Sequence, residues 1–174
     1  MGETIVTVIA IGLAAVLMFV FPLMTMADRA DDVSQLTIQT ETSNFVTDVR
    51  TTGKLTMDKY SKFIENISST GNTYDVEMEI KTLDENPSKK TSQAQSTKIG
   101  ENVYTSIYTS QIMEQLESGT IYLKEGDIFS VSVKNTNITL SQQLKNFAYK
   151  VTGNDTYSQA AQDSGMVTAN GTGK

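Results

Sequence analysis

The start of the chain contains an uncharged stretch that must find an apolar environment. The run from Ile5 to Met26 reads IVTVIAIGLAAVLMFVFPLMTM and contains no Asp, Glu, Lys or Arg. As an α-helix, a segment of this length spans about 33 Å, which matches the hydrocarbon core of a bilayer. The sequence therefore predicts a membrane-spanning helix near the N-terminus.

A cleaved secretory signal is the alternative interpretation of this segment. A signal has a positive region before a shorter apolar core that ends in small residues. No Lys or Arg precedes Ile5, and the apolar run is longer than such a core. We therefore expect a retained anchor. The acidic flank at Asp28, Asp31 and Asp32 and the remainder rich in Ser, Thr and Asn favour a C-terminal domain outside the cytoplasm.

Beyond the span, the helical pattern is expected to continue into the next part of the chain. Apolar or Thr side chains recur there at roughly helical spacing: Val33, Leu36, Thr40, Val46 and Val49. One helix is therefore predicted to run to about Thr51 and to stop at Gly53. This divides the chain into a hydrophobic-then-amphipathic helix over 1–52 and a small domain over 53–174.

The second part, 53–174, predicts short helices and the strands of an antiparallel sheet. Thr56 is expected to cap a second helix, and alternation from Tyr74 to Ile80 predicts a strand with one wet face. Similar patterns predict further strands near 103–107, 121–123 and 129–133, and helices from Ser110 to Glu117 and after Thr139. Residues from Gly153 to Lys174 are small and polar and predict a tail. The expected fold class is α+β, with the long helix covering one face of the sheet.

The composition excludes several classes of chemistry. The chain has no Cys and no His, so thiol catalysis, Cys/His zinc sites and His-dependent triads are excluded. A net charge of -6 argues against nucleic-acid binding, which needs clustered basic residues. Asp28, Asp31 and Asp32 could bind a hard cation, but solubility beside the membrane is the simpler interpretation. We predict no enzymatic activity, no metal site and no cofactor.

Three features of the span go beyond what a simple anchor needs. Small residues (Ala10, Gly12, Ala14 and Ala15) permit close helix–helix approach, although they also occur in ordinary anchors. Pro22 lies inside the helix, where a kink or local unwinding is expected. Glu3 stands directly before the span, where a carboxylate either complements the helix dipole or pairs with a buried amine.

Together these features resemble the type IV filament superfamily of pilins and pseudopilins. That family combines a carboxylate near the N-terminus, small residues and a proline in the span, an amphipathic continuation, and a small sheet packed on the helix. Later segments, TGNTYDVEMEI, GDIFSVSVKNTN and DSGMV, are similar to Gram-positive pilin-like proteins encoded with tight-adherence (Tad) secretion genes. The sequence differs from the family pattern in having only Met1 and Gly2 before Glu3, where the family has a basic leader removed by a prepilin peptidase.

The resemblance implies a structural subunit of an extracellular type IV-like pilus. Such a subunit resides in the membrane before assembly, meets the pilus assembly machinery, and forms a helical homopolymer by bundling its hydrophobic helices. The residues expected to matter for assembly are Glu3, Gly12, Ala14, Ala15 and Pro22. In the family, the residue matching Glu3 pairs with the N-terminal amine of a neighbouring subunit.

Two other interpretations remain open from the sequence. The first is a membrane-anchored component of a Tad-like secretion or conjugation machine that uses its helix for partner binding and never polymerises. The second is an anchored hydrolase or solute-binding domain, which would require two carboxylates that converge in a pocket. Four Asn-x-Ser/Thr sequons could also carry glycans where they are exposed, at Asn66, Asn137, Asn154 and Asn170.

Overall fold

The structure, a computed structural model, describes residues 2–84, 89–91, 94–149 and 159–171. Helix α1 (Gly2–Thr52) holds 51 residues and is followed by short helices and antiparallel strands, which confirms the predicted α+β class. In chain order these are β1 (Lys54–Leu55), α2 (Met57–Ser68), β2 (Tyr74–Leu83), β3 (Tyr104–Tyr108), α3 (Thr109–Ser118), β4 (Ile121–Tyr122), β5 (Ile128–Asn135), α4 (Leu140–Tyr149) and β6 (Ala160–Met166).

The described strands form two antiparallel sheets. The main sheet has the order β3-β2-β5-β6, and β1 pairs with β4 in a second, two-stranded sheet. In the main sheet Met78 lies opposite Val131, and Val131 lies opposite Asp163. The strand predicted at 121–123 therefore forms in part, as β4, but it joins the small sheet instead of the main one.

The second half of α1 crosses the inner face of the main sheet and forms the core with it. Phe45 stacks on Phe63 of α2 with ring centroids 4.5 Å apart, and it meets Phe129 of β5 edge to face at 5.7 Å. Phe129 is fully buried. The aromatic cluster thus joins α1, α2 and the sheet, and aromatic pairs of this geometry add stabilisation beyond the burial of their area.

The buried face of α1 is not the one predicted from the apolar or Thr side chains at helical spacing, Val33, Leu36, Thr40, Val46 and Val49. The core side holds Ile38, Phe45, Val46 and Val49, with Ala27, Ser34 and Thr42 on the same line. Val33 and Leu36 are each 65% exposed, and Thr40 is also exposed. Each residue turns the helix by about 100°, so a stripe drawn through Val33 and Leu36 runs along the opposite side. Only its last two members, Val46 and Val49, are buried.

The predicted polar tail contains a strand that completes the sheet. Strand β6 pairs with β5 from Ala160 to Met166, and its sequence AAQDSGM has no apolar alternation. Side chains of α1 fix both of its ends: Gln35 Nε2 donates to the Ala160 carbonyl at 2.7 Å, and Arg50 Nε donates to the Met166 carbonyl at 2.8 Å. The helix rises about 22 Å between Gln35 and Arg50, and six strand steps cover about 20 Å. Strand β6 therefore runs alongside α1 in the same direction.

Residues after β6 and the residue after β4 bond to the backbone at and just beyond the end of α1. The Thr168 amide donates to the Arg50 carbonyl at 3.1 Å, and the Leu123 amide donates to the Gly53 carbonyl at 2.8 Å. The Gly171 amide donates to the Leu123 carbonyl at 2.9 Å. Gly53 has φ of 62°, and a Cβ there would collide with the backbone of Ala169 and Gly171. The end of the long helix is therefore capped by the end of the described chain.

We predict that Gly53→Ala destabilises the domain by more than the cost of a left-handed alanine, which is about 1–2 kcal/mol. The added Cβ must also displace the chain that caps α1. Gly71→Ala is the matched control, because Gly71 has φ of 79° and open space around the position of a Cβ. Thermal unfolding of the full chain in detergent micelles measures both variants. Equal losses in the two variants would contradict the steric part of this account.

Candidate functional site

The first half of α1 projects from the domain as a single apolar helix. Every residue from 2 to 19 is exposed, and the first buried position is Ala27. Its most apolar window of 18 residues has a mean hydropathy of 2.7, and 0% of that window is buried. Near the N-terminus, then, one helix is long and apolar enough to cross a membrane. An unpartnered apolar surface of this size marks a contact with lipid or with other proteins.

The residues predicted for assembly all lie on this projecting segment. Glu3, Gly12, Ala14, Ala15 and Pro22 are exposed, and none meets the globular domain. At about 100° per residue, Ala14 shares one side of the helix with Ala10, whereas Gly12 and Ala15 lie on the other side, where Ala15 is close to the line of Pro22. The small residues therefore form two sides instead of the single face that their proximity in sequence suggested. Neighbouring helices can approach closely on both sides.

The side-chain hydroxyl groups within the predicted span are satisfied by the helix itself. Thr7 Oγ1 donates to the Glu3 carbonyl at 2.8 Å, and Thr25 Oγ1 donates to the Phe21 carbonyl at 3.0 Å. Such bonds to the preceding turn hide hydroxyl groups from hydrocarbon. The helix also continues without a break through Pro22, so the local unwinding expected there is absent from the isolated chain.

A polar cluster fastens α4 to α1 just after the span. Lys145 Nζ lies 2.6 Å from Asp28 Oδ1, and Ser141 Oγ donates to the same oxygen. One turn further, Thr139 Oγ1 donates to Asp31 Oδ2 at 2.7 Å. The hydrogen bonds from Lys145 and then Ser141 hold the pKa of Asp28 below its ordinary value of 3.8, although partial desolvation opposes them. Two of the three juxtamembrane aspartates thus have a structural partner.

Gln159, from the segment predicted as a tail, joins this cluster to the sheet. Its side chain is 2% exposed, and its Nε2 donates to the Asp31 carbonyl at 3.3 Å. Its Oε1 accepts long hydrogen bonds of 3.4 Å each from Asn72, Tyr74 and Asn135. Apart from the helix cap at Thr139, this network could not be predicted from the sequence, because its members lie far apart along the chain.

The described sequon asparagines already act as structural hydrogen-bonding groups. Asn66 Nδ2 donates to Glu41 at 2.6 Å, and Asn137 Nδ2 donates to Asn72 at 3.1 Å. Asn170 is exposed, and its Oδ1 accepts from the Glu125 amide at 2.8 Å. Asn154 lies outside the described residues. A glycan on Asn66 or Asn137 would replace one of the two hydrogens on the nitrogen that donates this bond.

Three carboxylates of β2 line an open depression on the outer face of the main sheet. Asp75, Glu77 and Glu79 point to this side, and Ser132 and Ser130 lie opposite the two glutamates. Glu79 is paired with Lys81 at 3.3 Å. Acid–base catalysis requires a carboxyl group in a sheltered position beside the reacting atoms. In the described part of the chain, no group of three or more Asp or Glu residues is arranged to hold a metal ion.

Comparisons with known proteins add no relative: no family model, curated protein or solved structure matches this chain. We therefore infer the function from the geometry of the projecting helix and from the chemistry of its residues.

We predict that Asp28→Asn lowers stability at neutral pH by less than about 1 kcal/mol, because the ion pair is partly exposed. A lowered pKa in the folded state means that the ionised Asp28 stabilises the fold above its ordinary pKa of 3.8. That contribution is lost as the pH falls through the lower, folded value. The difference in melting temperature between wild type and variant should therefore shrink below pH 3.8.

Asp32→Asn is the matched control for this measurement. Asp32 is an exposed neighbour for which the structure describes no bond to α4, so its replacement should leave the melting temperature nearly unchanged at both pH values. A stability difference for Asp28→Asn that is as large in strong acid as at neutral pH would contradict the assignment.

Proposed function

We propose that this protein is the structural subunit of an extracellular type IV-like filament, assembled by bundling of its N-terminal helix. The observation that carries the proposal is the projecting half of α1, which is apolar and exposed around its whole circumference. Such a surface needs lipid before assembly and identical neighbours afterwards. Exchange of one apolar surrounding for the other lets the subunit leave the bilayer without exposing the helix to water.

Bundling requires that several helices approach one another along the filament axis. The two small-residue sides of the span, Ala10 with Ala14 and Gly12 with Ala15, suit contacts with different neighbours. A contact that joins two different surfaces of identical subunits does not close on itself and gives an open helical polymer. Pro22 supplies a position where the helix lacks one backbone hydrogen bond and can adjust to this packing.

The exposed surface of α1 continues past the predicted span. Val33 and Leu36 lie on the side of the helix that faces away from the sheet, and the next turns carry the small polar residues Thr40, Ser43 and Thr47 on that side. From Val33 to Thr47 no charged residue lies on this line, although the exposed Arg29 lies one turn before it. Neighbouring subunits could therefore extend their helix contacts from the apolar segment into the base of the domain.

Glu3 has the role that the family resemblance implies for it. In a filament core its carboxylate would lie in an apolar surrounding, where an unpaired charge is costly. Pairing with the N-terminal amine of a neighbouring subunit removes that cost and fixes the axial offset between subunits. Before assembly, the same helix anchors the chain in the cell membrane with the domain outside, where the assembly machinery meets it.

Electron microscopy of material sheared from expressing cells, with mass spectrometry of the intact subunit, tests the proposal. Thin filaments composed of this chain support it, and the mass defines the N-terminus and any glycan. A chain that stays in the membrane fraction while its native system is expressed, and is monomeric in detergent, would favour the non-polymerising machine component.

We predict that Ala14→Leu abolishes or strongly reduces filaments while membrane insertion is retained. Leucine keeps the span apolar but fills the space that a close neighbour would occupy. Met18→Leu is the control, because it conserves volume at a position that is 74% exposed. Sheared filament yield and membrane fractionation measure the two effects separately. Normal filaments from Ala14→Leu would argue against close packing on that side.

A second variant tests the contact beyond the span. Leu36→Asp places a charge on an exposed position, so the free energy of unfolding should change by no more than about 0.5 kcal/mol. Filament yield should nevertheless fall, because the charge would be buried between subunits. Ile99→Asp, which changes a 53% exposed residue outside α1, is the control and should assemble normally. Wild-type yield from Leu36→Asp would show that this surface stays in water.

A further inference from the structure

Two apolar side chains are exposed on the turn between β5 and α4. Ile138 is 62% exposed and Leu140 is 54% exposed, whereas Thr139 between them is 5% exposed. Single exposed apolar residues are common on protein surfaces and need no special explanation. Ile138 and Leu140 differ from such single residues in their position relative to α1.

The polar cluster described above holds the turn at the end of the predicted span. Thr139 is bonded to Asp31, and Ser141 to Asp28. These aspartates lie about 3 Å and 8 Å beyond Met26 along the helix axis. The polar layer of a bilayer is roughly 5–8 Å deep on each side of the hydrocarbon. For a span along the membrane normal, the turn that carries Ile138 and Leu140 is thus held at about the depth of the lipid headgroups.

The charged groups around the turn are compatible with contact at the level of the lipid headgroups. Asp28 is paired with Lys145, and Asp31 accepts the Thr139 hydroxyl, so neither carboxylate faces the headgroups without a partner. A net charge of -6 gives no attraction to anionic lipid. The apolar side chains would therefore supply the contact, and its strength should be similar on neutral and anionic bilayers.

We propose that Ile138 and Leu140 form a second membrane contact, in which the turn between β5 and α4 rests in the lipid interface beside α1. The inference depends on the proposed membrane anchoring of α1, and it does not require filament formation. A helix and a separate turn in the same bilayer define the tilt of the domain. The contact would exist while the subunit is anchored in the membrane, and it would be lost when the subunit is extracted for assembly.

Because the chain has no Cys, single cysteine variants can carry an environment-sensitive fluorophore at chosen positions. Full-length Ile138→Cys is labelled and placed at one copy per nanodisc of phosphatidylcholine. We expect blue-shifted emission, quenching by lipids with spin-labelled acyl chains, and iodide quenching several-fold weaker than at a membrane-distal site. Tyr122→Cys is that control, since Tyr122 pairs with Lys54, which lies beyond the end of α1 and about 40 Å from Met26.

The same fluorophore on Leu13→Cys, inside the predicted span, distinguishes the membrane anchor from the second membrane contact. Lipid quenching at Leu13 together with water exposure at Ile138 would overturn the second contact and leave the anchor intact. Water exposure at Leu13 would overturn the anchor and the contact with it. Protection of Ile138 that appears only with several copies per nanodisc would assign the pair to contacts between subunits, and would also overturn the inference.

Discussion

The packing of α1 across the inner face of the sheet is the interaction on which the rest of the structure depends. Phe45 of α1 meets both Phe63 and Phe129, so one side chain ties the helix to α2 and to the central strand β5. The same helix continues without a break into the apolar segment. The core therefore fixes the direction in which that segment leaves the domain. A helix that belonged only to the membrane, joined by a loop, would leave its orientation undefined.

Several elements could be predicted because their signals are local. Thr56 caps α2 as expected and accepts a hydrogen bond from the Lys59 amide, and alternation from Tyr74 gave β2. Strand β6 could not be predicted, because AAQDSGM carries neither apolar alternation nor β-branched residues. It is a strand because β5 offers a free edge and α1 binds both ends of it. These are tertiary causes that override local preference.

The candidate site shows the same division between local and tertiary signals. The long apolar helix near the N-terminus could be predicted from the sequence, since length and hydropathy alone identify a helix that is able to cross a membrane. The buried face of α1 was misjudged over Val33 and Leu36, because Ser34 and Thr42 on the true core line are polar. The attachment of α4 to Asp28 and Asp31 could not be foreseen either, because it joins groups more than a hundred residues apart.

The order of elements along the chain decides which surface of α1 remains available to partners. Strand β6 and the residues after it contact α1 from Gln35 to Arg50, so the first helix is covered by the last part of the described chain. Closing so long a loop is entropically costly, and the contact can form only after the chain has been made as far as these residues. Once formed, it occupies the side of α1 that faces the sheet. The surface of α1 that stays exposed is then the opposite side, where Val33 and Leu36 lie, together with the apolar segment that projects beyond the domain.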